Sequence, residues 1–103
     1  MLIVTTEYIS GKNIQTLGLV SGGTIQTVNA IRDIGSGLKN LVGGELKKYN
    51  QMMTDARKLA VERIAEEAEA MDADAIVGVR FSSSSVMQSA AEVMVYGTAV
   101  KFI

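Results

Sequence analysis

Residues 43–81 read GGELKKYNQMMTDARKLAVERIAEEAEAMDADAIVGVRF. A double glycine is followed by a helix-period pattern and then a short β-rich run. Leu46, Tyr49, Met53, Ala56, Ala60, Ile64, Ala68 and Met71 fall at three- and four-residue spacings, one continuous apolar stripe. Leu59, Val61 and Ala65 widen it beyond a coiled-coil seam. The spacing predicts a helix over about Glu45–Met71, roughly 40 Å long at about 1.5 Å per residue. A compact domain of about 100 residues has a radius of gyration near 13 Å, so this helix is expected to overhang its own subunit. Its wide apolar face then calls for a neighbour.

After the helix, Ala75–Phe81 reads as a strand, with Ala75, Val77, Val79 and Phe81 on one face and Ile76, Gly78 and Arg80 on the other. Ser82–Ser85 reads as a polar connector or the splayed start of a hairpin. Ala91–Ile103 is the last strand and is apolar on both sides, which predicts burial of both. Before the helix, Leu2–Thr5 reads as a short strand and Ser10–Asn13 as a turn. Ile14–Val28 is either one long bent strand or a hairpin interrupted at Gly22 and Gly23, with the bent strand favoured. Asn29–Leu41 reads as a short irregular helix capped by Asn29, with Gly35 and Gly37 weakening it. The pattern is α+β, and 103 residues make a single domain, 1–103.

Composition removes several chemistries. Cys, His, Trp and Pro are all absent: of the types that matter here, Cys 0, His 0, Pro 0 and Trp 0. Thiolate chemistry, triad-type hydrolysis and ordinary zinc or copper centres lose their ligands and bases. Ten basic and eleven acidic residues leave a net charge of −1, so neither nucleic acid nor an anionic membrane is an expected partner. Residues Met1–Glu7 have no basic leader region and no long apolar core, and a cytoplasmic location is the expectation.

Charge on the long helix runs against its dipole: Lys47, Lys48, Arg57 and Lys58 lie in its first half, while Glu62, Glu66, Glu67, Glu69, Asp72 and Asp74 crowd its end. Lys58–Glu62, Arg63–Glu67 and Glu45–Lys48 are spaced for local ion pairs. Glu62, Glu66 and Glu69 share a face and are candidate oxygen ligands for a hard cation; the alternative is a solvated acidic face. Gly43, Gly44 and Lys47 are a candidate anion site at the helix start, opposed by Glu45, which occupies the same positive end. For acid–base chemistry only Asp33 beside Arg32, and Glu45 near Tyr49, pair suitably, and both read equally as structural contacts. Met52, Met53, Met71, Met87 and Met94 read as core filler.

Val42-Gly43-Gly44-Glu45, Tyr49, Ala56-Arg57, Ala60, Ala68 and Ala73-Asp74-Ala75-Ile76-Val77-Gly78-Val79 together resemble the YbjQ-like family of small bacterial proteins, which carries a heavy-metal-binding label. Gly18-Leu19-Val20-Ser21-Gly22, Ile31-Arg32-Asp33 and Gly97-Thr98-Ala99-Val100-Lys101 agree. The resemblance implies a dodecin-like β-α-β-β subunit, with a three-stranded antiparallel sheet in order 1-3-2 packed on one long helix. It also implies ring-forming homo-oligomers, pentamers, helped by extra short strands. It implies no reaction. The family pattern places acidic residues just after the Val-Gly-Val segment, where this chain has Arg80 and Ser82.

The leading expectation is a non-catalytic homo-oligomer, with itself as principal partner and with a small ligand or metal ion as possible cargo. No cofactor is expected: flavin, raised by the dodecin-like fold, meets only five aromatics, Tyr8, Tyr49, Phe81, Tyr96 and Phe102, and no Trp. The alternatives are a structural or protein-interaction module without a ligand, and a carboxylate-based enzyme.

Overall fold

The computed structural model describes residues 1–27, 44–87 and 90–103. Four strands and one long helix are present: β1 (Leu2–Ile3), β2 (Ile14–Thr27), α1 (Gly44–Ala70), β3 (Ala75–Met87) and β4 (Ala90–Phe102). The short helix expected over Asn29–Leu41 lies outside the described residues. The strands form one sheet in the order β1-β3-β4-β2. The pairs β2–β4 and β3–β4 are antiparallel, and β1 joins β3 in parallel. The sheet is therefore four-stranded and mixed, not three-stranded and antiparallel. Within it, β2, β4 and β3 lie side by side in that order. The difference comes from the N-terminal segment: Val4 N–H donates to Ile76 O at 2.9 Å, and Gly78 N–H to Thr6 O at 2.8 Å.

The residues from Ile14 to Thr27 form one strand, and the glycines do not turn it back. Its register with β4 slips once, between Thr16 and Gly18, and then holds to Thr27 opposite Ala90. The serine run is strand as well: Ser82 pairs with Met94 and Ser85 with Ala91. Strands of 13 and 14 residues, at about 3.3 Å each, are as long as the helix. The described residues extend 53 × 22 × 16 Å. So α1 does not overhang its subunit; the sheet is drawn out to match it.

The helix lies on one sheet face through a narrow line of small side chains. Ala56, Ala60, Ile64 and Ala68 are fully buried at four-residue spacing, against Val20 of β2, Ile76 and Val79 of β3, and Val93, Val95 and Ala99 of β4. Three alanines in that line let the backbones approach closely. A Cβ on Gly22 would lie 2.5 Å from both Ala60 O and Ile64 N. Residue 22 must therefore lack a side chain. A second, smaller cluster fills part of the opposite face, where Val4 and Ile9 pack on Ala75, Val77 and Val100.

A bulge reverses the expected facing of β3. Val77 is opposite Thr98 but Arg80 is opposite Tyr96, so two residues stand against Gly97. Gly78 sits in the left-handed region at φ 62°, which a glycine adopts freely. Before the bulge Ala75 and Val77 face away from the helix and Ile76 faces it; after it, Val79 faces it. The strict alternation expected over Ala75–Phe81 is broken at that residue.

The helix ends in a Schellman motif: Ala73 N–H donates to Ala68 O at 3.1 Å and Asp72 N–H to Glu69 O at 2.9 Å. Asp72, at φ 58°, takes the left-handed place usually given to glycine. Lys101 of β4 brings in the cation that the last helical turn lacks. Its Nζ donates to Asp72 O at 2.9 Å and lies 3.2 Å from Asp72 Oδ2 and 3.7 Å from Asp74 Oδ1. Asp74 Oδ2 also accepts from Phe102 N–H at 2.8 Å.

The hydrogen bond to Asp72 holds the Lys101 ammonium above its ordinary 10.5, with both carboxylates adding to it and partial desolvation opposing. A raised lysine value stabilises the fold fully below 10.5, and the gain is lost as pH climbs through the higher folded-state value. Urea midpoints are accordingly expected to fall above about pH 10.5, and Lys101→Met to flatten that alkaline decline. An alkaline limb identical in both proteins would contradict the assignment.

Candidate functional site

Among the described residues the sequence-derived metal candidates do not gather into a centre. Glu62, Glu66 and Glu69 are exposed, and among the described residues no group of three or more Asp, Glu, His or Cys is placed to hold a metal ion. Gly44 begins α1 and Lys47 is exposed on its first turn; Gly43 lies outside the described residues, as do Arg32 and Asp33. Of Glu45 and Tyr49 only the backbone, within α1, is described.

The expected Arg63–Glu67 pair is replaced by contacts to the sheet, Lys58–Glu62 is not formed, and the Glu45 and Lys48 side chains lie outside what is described. Among the described residues the salt bridges are those of Lys101 with Asp72 and Asp74. Arg63 instead donates to Gly23 O, and Glu67 Oε2 accepts from Ser21 N–H at 3.3 Å. Both groups lie on the outer edge of β2, where no strand pairs with the backbone among the described residues. A charged hydrogen bond to such an atom outcompetes a solvated i,i+4 pair of about 0.3–0.5 kcal/mol.

Among the described residues three surfaces are open. The first is the sheet face turned away from α1. The register sets Leu19 beside Thr98, Ser21 beside Tyr96 and Ile25 beside Glu92 on that side. Leu19 is 74% exposed, Ile25 58% and Tyr96 41%. Arg80 shares this face, but its Nη1 is turned back to Thr5 O and Val79 O, each at 2.9 Å. Beside this patch, under the N-terminal segment, an open hollow of about 290 Å³ is lined by Glu7, Ile14, Thr16, Val77 and Thr98.

The second is the outer edge of β3. The N-terminal segment covers it only as far as Val79, whose N–H donates to Val4 O at 3.1 Å. Beyond that point no strand pairs with it among the described residues.

The third is a cleft between α1 and β3, about 210 Å³, lined by Met53, Arg57, Phe81, Ser82, Ser83 and Val93. Phe81 is opposite the fully buried Val95, hence on the helix side, yet its ring is 51% exposed. Arg57 donates to Thr54 Oγ1 at 3.3 Å. Sequence reasoning did not find this cleft, because it joins residues between 24 and 40 positions apart, from Arg57–Phe81 to Met53–Val93, across the bulge. The legible signal was the glycine within a strand pattern, which marks a bulge as readily as a weak strand.

No helix among the described residues is long and apolar enough to cross a membrane. The described residues thus make a small α+β domain, one helix on a mixed sheet, with much of the other sheet face uncovered among them. A family model described as "Putative heavy-metal-binding" matches residues 1–103, and the chain belongs to this family, YbjQ. It is similar to a UPF0145 protein of Clostridium novyi, 54% identical over the whole of both chains. It is also similar to a UPF0145 protein of the archaeon Methanosarcina acetivorans, at 52% identity over 100% of this chain and 98% of the other, so the family extends beyond bacteria. Among solved structures it resembles a protein of unknown function of the DUF74 family from Pediococcus pentosaceus. That match has a TM-score of 0.73 at 18% identity, over 100% of this chain and 98% of the other, and it supports the fold alone.

The family description raises a heavy metal, and the residues described here do not fit one. The chain has no Cys and no His, and its described carboxylates do not gather.

Proposed function

We propose that the chain is a non-catalytic module that assembles with copies of itself, as a ring of five in the cytoplasm, and holds a small ligand in the assembled state. The observation that carries this reading is the sheet face opposite α1, where the large apolar side chains Leu19, Ile25 and Tyr96 stand in water in the single chain. Large apolar side chains left exposed on one sheet face mark an interaction surface. The open edge of β3 adds a row of backbone donors and acceptors that a neighbour would satisfy. The count of five rests on the family resemblance. Near-zero net charge argues against nucleic acid or an anionic membrane as the partner.

Native mass spectrometry of untagged protein tests this. The expected result is one species at five times 11.0 kDa, with a mass excess that disappears on denaturation. The assembled mass without any excess would favour the second reading, a structural or protein-interaction module without cargo. A species at 11.0 kDa alone would overturn both.

A further inference from the structure

We propose that the cleft between α1 and β3 binds a small aromatic carboxylate; this rests on the ligand-holding part of the function proposed above and names the ligand class. The floor of the cleft is apolar and polarisable: the Met53 thioether, the Val93 side chain and the half-exposed Phe81 ring. Such a floor suits the flat face of an aromatic ring, which stacks on another ring and makes favourable contacts with sulfur.

The charge on the cleft has one sign. Among the described residues Arg57 is its sole ionisable lining residue, and no carboxylate lines it. Among the described residues the Arg57 guanidinium makes a single hydrogen bond, to a neutral threonine hydroxyl, and no ion pair. Its remaining donors are available in the planar fork that fits a carboxylate bidentately. Ser82 and Ser83 line the same cleft and add polar groups that orient a bound acid. An uncharged ligand would desolvate the guanidinium without replacing its lost water. A metal ion finds no thiolate, imidazole or carboxylate here. The volume, about 210 Å³, is below the roughly 300–1,000 Å³ of pockets for drug-sized molecules, which limits the occupant to about one ring.

Benzoate is the probe. It is titrated to millimolar concentration into full-length protein carrying isotope-labelled methionine and valine methyls, followed by NMR. Saturable shifts are expected at the Met53 and Val93 methyls and the Phe81 amide. Benzamide, of the same shape without the charge, is expected to bind about ten-fold more weakly or worse, the loss of one charge-assisted bidentate contact. Arg57→Gln is expected to cause the same loss while keeping the fold, since Arg57 is exposed. The absence of saturable shifts at these sites, equal binding of benzamide, or wild-type affinity in Arg57→Gln would each overturn the proposal. The assembled mass is read on the same sample. Assembly without shifts rejects the cleft alone, and shifts in a single-copy species support the cleft while rejecting the ring.

Discussion

Gly22→Val is expected to lower the stability of the chain by about 3 kcal/mol or more, the upper end of overpacking costs, because the new atoms meet rigid backbone. The first added carbon would stand 2.5 Å from a carbonyl oxygen and an amide nitrogen of α1, at Ala60 and Ile64. Neither can rotate aside as a side chain would. The helix must lift off, and the buried line Ala56, Ala60, Ile64 and Ala68 opens with it. Gly23→Val is the internal control. A Cβ there would meet Val93 O at 3.6 Å, an ordinary contact. Urea denaturation followed by circular dichroism should show a large fall in midpoint for the first variant and a change within about 1 kcal/mol for the second. Equal effects would mean that α1 does not rest on β2 as described.

Leu19→Asp combined with Ile25→Asp is expected to dissociate the assembly into single copies while leaving the helix and sheet intact. Both side chains are largely exposed in the single chain, 74% and 58%, so the fold barely depends on them. In an assembly that covers the face, each contributes about 1.5–3 kcal/mol of apolar burial per copy. The replacement carboxylates would add several kcal/mol each as unpaired buried charges. A combined loss above about 4 kcal/mol is roughly a thousand-fold in association constant. Size-exclusion chromatography with light scattering reads the mass, and circular dichroism checks the fold. An unchanged mass would show that copies do not meet across this face.

The main elements were legible because they depend on local periodicity. The four-residue spacing from Ala56 to Ala68 gave the helix and its buried line, and the two-sided apolar pattern after Ala91 gave β4. Three features depended on tertiary pairing and were not legible. Ser82–Ser85 has little strand propensity of its own, so connector and hairpin start read alike; it is the hairpin's strand because β4 runs alongside it. Leu2 and Ile3 were legible as strand, but their place as a parallel edge was not, because it depends on Ala75 and Ile76, 73 positions further on. The bulge at Gly78 exchanges the faces of β3, so Phe81 comes to the helix side through a backbone conformation that no side-chain pattern records. The reversed charge order along the helix was visible. Its resolution, by Lys101 at one end and by Arg63 and Glu67 on the edge of β2, required the sheet to be in place.

For the candidate site, the residue types were legible and their convergence was not. Glu62, Glu66 and Glu69 share a helix face at sequence level, but that face points to water and nothing opposite it supplies further ligands among the described residues. Arg57 was one basic residue of four in the first half of the helix. Only the packing of α1 beside β3 brings it into one cleft with Phe81 and Ser83.

Sedimentation velocity of the untagged protein at micromolar concentration tests most directly whether copies cover the open sheet face. A single boundary at a multiple of 11.0 kDa is predicted, with no 11.0 kDa species remaining. A folded protein that sediments at 11.0 kDa across that range would contradict the account.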